Sequence, residues 1–164
     1  MKYVLIGKIV NTHGLKGEVR ILSRFKYKNK VFVPDMKIYI GKSKTEEVIT
    51  TYRHHKIFEM ITMEGYHDID EVLKYKGEYV FINRDDLVLG KNEYLDEDII
   101  GLDVYTDNKY LGKVVKIENH NGNEIIIVKN NDKSYLIPYN FDIIQDINLD
   151  SKKINVSNIP GLFD

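Results

Sequence analysis

Apolar residues in this chain recur mostly at a spacing of two, the period of half-buried strands, and only once at helical spacing. Val4 to Val10 is rich in β-branched residues and holds a glycine suited to a bulge. From Gly17 to Phe25 the chain alternates, with Val19, Ile21 and Ser23 on one side and Arg20, Leu22 and Arg24 on the other. Lys37 to Ile40 is a further short strand. Val48 to Met63 divides into VITTYRHH and KIFEMITM, with a bend near His55–Lys56. The helical exception is DIDEVLKYKG, in which Ile69, Val72 and Leu73 form one apolar stripe at i, i+3 and i+4. Asp68 is its N-cap, Glu71 completes a capping box, and Gly77 stands where a C-cap glycine belongs. Tyr79 to Ile82 returns as a strand. These elements predict a barrel with one short helix over residues 1–87.

LVLGKNEYLDED, Leu87 to Asp98, has weak periodicity and mixed charge and reads as a linker, taken as residues 88–98. Strands and turns then resume. DVYT meets a turn at Asp107–Asn108–Lys109, LGKVVKIENH ends at Asn121–Gly122, and NEIIIVKN turns at Asn130–Asn131–Asp132. KSYLIPYN, FDIIQDIN and KKINVSN follow. Short strands with regular turn signals predict a second small barrel over residues 99–164. The expected fold class is therefore mainly β, two small β-barrels, and nothing in the pattern supports a dinucleotide-binding fold.

Composition narrows the class. With 164 residues, 43% hydrophobic and 30% charged, the chain is expected to be a soluble globular protein. No run approaches the roughly 18 apolar residues of a membrane span, and MKYVLIGKIV turns polar too soon for a secretory signal. The absence of cysteine excludes disulfides and thiolate chemistry, so a cytoplasmic location is expected. The net charge of −1 conceals an asymmetry. Residues 1–44 carry eleven Lys/Arg against two Asp/Glu, whereas residues 91–164 carry eight against thirteen. A basic front and an acidic back imply two surfaces with different partners.

The densest candidate chemistry is NTHGLKGEVRIL, Asn11 to Leu22. A phosphate cradle would need a helix after the glycines, and a strand follows instead. A general base at His13 would need a nucleophile, and none stands nearby. Two readings remain: Gly14 and Gly17 shape a tight bend with His13 tucked against it, or the loop holds Lys16 and Arg20 toward a polyanion. His54–His55 is a poor metal pair because adjacent strand residues face opposite ways. No metal site, no cofactor and no catalytic constellation is expected. Twelve tyrosines and six phenylalanines supply barrel residues, with some available to stack bases or anchor a protein.

GKIVNTHGLKGEVRI, Gly7 to Ile21, resembles the N-terminal signature of the ribosome maturation factor RimM family. MEGYHDIDEVLKYKGEYVFINRDDL resembles that family's glycine, short helix and returning strand, and EYLDEDIIG, Glu93 to Gly101, the opening of its second, PRC-type barrel. LGKVVKI, LIPYNFDIIQDINLDSKKINV and GLFD, Gly161 to Asp164, resemble later parts of that barrel. Four positions depart from the family pattern, among them Asp96, which stands where a bulky or basic residue is frequent. Leu95 follows Tyr94 where a second aromatic is usual, Glu124 stands where aspartate is common, and Thr12 replaces a frequent proline.

The resemblance implies a translation-factor-like first barrel and a non-enzymatic assembly factor. It would bind the free small ribosomal subunit and ribosomal protein S19 of its head, and assist maturation of the head 16S rRNA. In that reading Lys16, Arg20, Arg24 and Lys26 contact rRNA phosphates, and His13, Gly14 and Gly17 form the N-terminal motif. Tyr94 and Leu95 anchor the ribosomal protein, joined on local pattern by Tyr139 and Phe141. A monomer without membrane contact is expected. The rival readings are a general RNA-binding barrel protein and a flavin-barrel enzyme.

Overall fold

The structure, a computed structural model, describes residues 1–163; Asp164, the last residue of the GLFD segment, lies outside them. The chain divides into two compact units, residues 1–88 and Leu89 onward. The first contains β1 (Tyr3–His13), β2 (Glu18–Leu22), α1 (Lys28–Val31), β3 (Lys37–Ile40), β4 (Thr45–His55), β5 (Phe58–Met63), α2 (Ile69–Val72) and β6 (Tyr79–Asn83). Its strands close into a barrel in the order β1-β2-β5-β4-β3-β6, and all its ladders are antiparallel. Bulges interrupt β1 against both of its neighbours and β4 against β5. Such extra residues bend and coil strands, which closure of a six-stranded sheet requires. Ile6, Ile21, Ile38, Ile61 and Ile82 fill the interior.

The expected helix is present with its full capping box. Asp68 accepts from the Glu71 N–H, and the Glu71 carboxylate accepts from the Asp68 N–H. The apolar stripe differs from expectation. Val72 is buried, but Leu73 is 47% exposed and Tyr75 turns inward in its place. After Val72 the helix tightens into a 3-10 turn, Leu73–Tyr75, and the three-residue period rotates Leu73 off the core face. The sequence pattern also gave no sign of α1. It has no side-chain cap and is held by Val31 and Phe32, both buried.

The second unit contains α3 (Asp96–Ile99), β7 (Asp103–Thr106), β8 (Lys109–His120), β9 (Asn123–Asn130), β10 (Lys133–Pro138), β11 (Ile144–Asn148) and β12 (Lys153–Val156). They form one six-stranded sheet, β10-β9-β8-β7-β12-β11, in which β12 runs parallel to β7. Among the described residues no ladder joins β10 to β11. The sheet nevertheless wraps one core, to which every strand contributes, together with Ile99, Leu102 and Phe163. Asn121–Gly122 forms a two-residue turn with both φ positive, as its composition demands. Part of the segment expected to be a linker is ordered into α3, whose Ile99 is fully buried. β11 begins at Ile144, not Phe141, because the Asn140 side chain accepts from the Asp142 and Ile143 N–H groups and holds a turn there.

Candidate nucleic-acid interface

Strand register assembles a polar cluster at one end of the first barrel. Val19 and Ile21 point inward, so Glu18 and Arg20 point outward. His13 lies opposite Glu18, Arg20 opposite Met60, Arg53 opposite Met60, and His55 opposite Phe58. Cross-strand partners share a face, so His13, Glu18, Arg20, Arg53, His55 and Phe58 meet on the outer side of β1, β2, β5 and β4, with Met60 fully buried beneath them.

The contacts are specific. Arg20 donates from Nη2 to His13 Nδ1 at 2.6 Å, which requires that nitrogen to be unprotonated. The Arg20 guanidinium also lies 5.3 Å from the Phe58 ring centre, a cation–π distance. Its Nε is buried without a hydrogen-bond partner. Arg53 donates to both oxygens of Glu18, at 2.9 Å and 2.7 Å. The hydrogen bond from Arg53 outweighs partial burial and holds the Glu18 carboxyl below its ordinary value. Partial burial, then the cations Arg53 and Lys56, hold His55 below the usual histidine range. The His13 and His55 rings are 6.1 Å apart. The patch therefore presents the guanidinium groups of Arg20 and Arg53, and an incoming phosphate would compete with Glu18 for Arg53.

The loop between β1 and β2 explains the motif glycines. The Leu15 carbonyl accepts from the Ile69 N–H at 2.9 Å, which docks the loop on the start of α2. Gly17 is buried with φ +92°, and an added Cβ would meet the Asp68 backbone at 3.4 Å. Gly14 has φ +67° with open space around it. Lys16 is exposed on this loop. With Thr62, Gly65, Tyr66 and His67 it lines a shallow depression of about 310 Å³. Lys16 and Arg20 thus lie at the His13 end of the barrel. Arg24 and Lys26 are exposed beyond the other end of β2, so the four basic residues do not form one cluster.

His54 and His55 face opposite ways, as strand alternation requires. His54 approaches the buried Glu59 at 2.8 Å, and the Tyr52 hydroxyl donates to the same carboxylate at 2.9 Å. Burial first, then Glu59, pushes the Tyr52 hydroxyl up to about 12. Arg53, His55, Lys56 and Phe58 were not singled out as site residues from sequence. The cationic run RHHK at the hairpin between β4 and β5 was the available signal, but only the register with β2 brings it to His13.

In the second unit the structure brings together three of the four expected anchors. Tyr94 and Phe141 stack with ring centres 6.4 Å apart, and Tyr139 meets Phe141 edge-on at 6.2 Å. All three rings are partly buried against the core. Leu95 is only 5% exposed, so its side chain is buried and not presented beside Tyr94. Asp96, Glu97 and Asp98 form the first turn of α3 directly after the Tyr94–Leu95 pair. No group of three or more His, Asp or Glu able to hold a metal occurs among the described residues. No helix among them is long and apolar enough to cross a membrane.

Comparison with known proteins assigns the two parts of the chain. The RimM N-terminal domain family matches residues 4–87, and the RimM PRC barrel domain family matches residues 96–162. The ribosome maturation factor RimM of Staphylococcus epidermidis is 39% identical over 165 residues, covering 98% of this chain and 99% of the relative. That of Staphylococcus aureus is 34% identical with the same coverage. The solution structure of the N-terminal domain of RimM from Thermus thermophilus is 18% identical, with a TM-score of 0.47, and covers 54% of this chain and 98% of that one. Two consecutive domain matches and full-length identity above 30% show that this chain belongs to the RimM family of ribosome maturation factors.

Proposed function

We propose that the protein acts in the cytoplasm as a monomeric, non-enzymatic maturation factor. It binds the free small ribosomal subunit, contacts ribosomal protein S19 of its head, and assists head assembly and 16S rRNA processing. The observation that carries the RNA-binding part is the outward cluster of Arg20, Arg53, Lys56 and His13 around Phe58. Arg20 and Arg53 offer planar donors suited to phosphate oxygens. Phosphate contacts of this kind fix position and make affinity fall with salt, without reading sequence.

The second unit supports contact with a cationic protein. Residues 91–164 carry thirteen acidic and eight basic residues, and ribosomal proteins are generally basic. Opposite charge speeds the encounter, while the Tyr94, Tyr139 and Phe141 rings supply the apolar surface that anchors it. Binding one particle through two tethered units raises the effective concentration of the second contact.

The test is sedimentation of the purified protein with isolated small subunits, large subunits and whole ribosomes at two salt concentrations. Co-sedimentation with free small subunits alone is expected, and Tyr94→Ala is expected to weaken it. Equal binding to all three particles that collapses with salt would replace the assembly role with nonspecific RNA binding.

A further inference from the structure

A second surface of the first barrel is unlike the rest of the molecule. On β1, Val4 and Ile6 point inward, leaving Tyr3 and Leu5 outward. On β6, Val80 and Ile82 point inward, leaving Tyr79 and Phe81 outward. Register aligns them into rows: Leu5 opposite Phe81, Phe81 opposite Tyr39 of β3, and Lys8 opposite Tyr79. The outer face across β1 and β6 is therefore largely aromatic and aliphatic. Tyr79 and Leu5 are each 50% exposed and Tyr3 is 36% exposed.

Cations accompany the rings. Lys44 Nζ lies 4.2 Å from the Phe81 ring centre, and Lys8 Nζ lies 5.3 Å from that of Tyr79. Tyr3 meets Phe81 edge-on at 6.4 Å. Beyond β2, the Ser23 hydroxyl donates to the Ile6 carbonyl at 2.5 Å, which ties the start of the basic segment carrying Arg24 and Lys26 to β1. On the far side, Glu46 and Asp86 lie close enough to Tyr39 to raise its hydroxyl pKa, after burial. Lys8 and Lys44 thus seat positive charge on the rings, and Glu46 and Asp86 lie near Tyr39 at the β3 side.

We propose that the outer face of β1 and β6 is a stacking platform for unpaired RNA bases, centred on Tyr79 and Phe81, with Lys8 and Arg24 beside the phosphates. The proposal rests on the reading of this barrel as the RNA-contacting unit and adds a contact separate from the His13–Arg20 cluster. Exposed apolar surface of this extent marks an interaction site. Lysines seated on the rings favour a polyanion over an apolar protein partner. Rings held on a rigid sheet bind unpaired bases because every base offers a π-face, whereas a duplex keeps its bases stacked internally. The lysines are flexible and leave the rings at little cost, becoming free to meet phosphate.

The test measures binding of the full chain to labelled short oligouridylate and oligoadenylate, and to an RNA duplex of equal length, by fluorescence anisotropy. Single strands are expected to bind more tightly than duplex. Tyr79→Ala is expected to weaken single-strand binding about tenfold with an unchanged melting temperature, and Tyr79→Phe to retain it. Lys8→Gln is expected to lower the salt slope by about one. No single-strand binding by the unaltered chain, equal binding of duplex, or unchanged affinity in Tyr79→Ala would each overturn the platform. If Tyr79→Ala weakens small-subunit binding yet leaves oligonucleotide affinity intact, the face serves a protein and the proposal also fails. The unaltered chain's own sedimentation with small subunits decides the maturation role separately.

Discussion

The two units solve the problem of a six-stranded sheet in opposite ways. The first closes, so β6 returns to β1 and no strand edge is left. The second leaves β10 and β11 as edges. Edges invite pairing with other chains, and Pro138 and Lys133 on β10 and Asp146 on β11 are residues that discourage it. Charge separates the units as well. Residues 1–88 carry sixteen basic against twelve acidic side chains, and residues 89–164 carry eight against thirteen. The closed unit carries two aromatic–cationic patches on its outer faces. The open unit concentrates its aromatic rings beside an acidic turn. The contrast shows that two six-stranded units in one chain carry surfaces of opposite charge once outward residues are chosen independently of the core.

The largest expected effect tests whether the units are thermally independent. Gly112 has φ +142°, and a Cβ there would come within 2.3 Å of the Lys129 carbonyl oxygen. Gly112→Ala should cost the second unit about 3 kcal/mol or more. Calorimetry should show one transition moving down while that of the first barrel stays in place. Movement of both would mean that the two units melt as one.

Next in size is Arg20→Ala, which should weaken small-subunit binding about tenfold and lower the salt slope by about one. Arg20→Lys should restore the slope without restoring full affinity, because an ammonium cannot reproduce the planar contact on Phe58. Identical slopes in all three proteins would remove Arg20 from the interface.

Smaller again is the pair of motif glycines. Gly17→Ala should lower stability by about 1–2 kcal/mol and Gly14→Ala by about 1 kcal/mol, both from left-handed backbone strain. Gly17 should suffer more because its Cβ would also meet the Asp68 backbone. Urea midpoints set beside binding curves separate folding from function here. Unchanged stability with lost binding would make the loop a contact and not merely a corner.

The smallest effect appears on acidification. Arg53 lowers the folded-state pKa of Glu18, and Lys113 lowers that of Asp103 in the second unit. Depressed carboxyl values contribute stability that is complete above the ordinary range and lost as pH falls through the folded value. The cation of each pair is half exposed or nearly so, so solvent screening should keep each loss slight. Arg53→Met should flatten the acid limb of the first unit only, as read from melting temperature against pH below 4.5.

Local chemistry was legible in the sequence wherever it acts within a few residues. Asp68 and Glu71 announced their capping box, Asn121–Gly122 its turn, and Val19 and Ile21 the inward face of β2. The opposite orientation of His54 and His55 followed from strand alternation alone. The partnership of Arg53 with Glu18, thirty-five positions away, did not, because it depends on register across β2, β5 and β4. The burial of Leu95 was equally hidden. Its place beside Tyr94 suggests a shared anchor, whereas Leu95, the extended residue before α3, is buried and Tyr94 stacks on Phe141. The platform on β1 and β6 was hidden for a similar reason. Tyr3 and Tyr79 are distant in sequence, and each alone is an ordinary strand tyrosine.

The parallel pairing of β12 with β7 has a consequence for the order of synthesis. β7 begins at Asp103, but its second neighbour arrives only with Lys153–Val156. The last strand of the first barrel, β6, ends at Asn83, and that unit is complete at Val88. As the chain emerges, the basic unit can be complete while the acidic one still waits for its closing strand. A nascent chain would then expose a finished basic barrel before the acidic unit has its last strand. Stalled-chain lengths ending before and after residue 156 would show that interval directly.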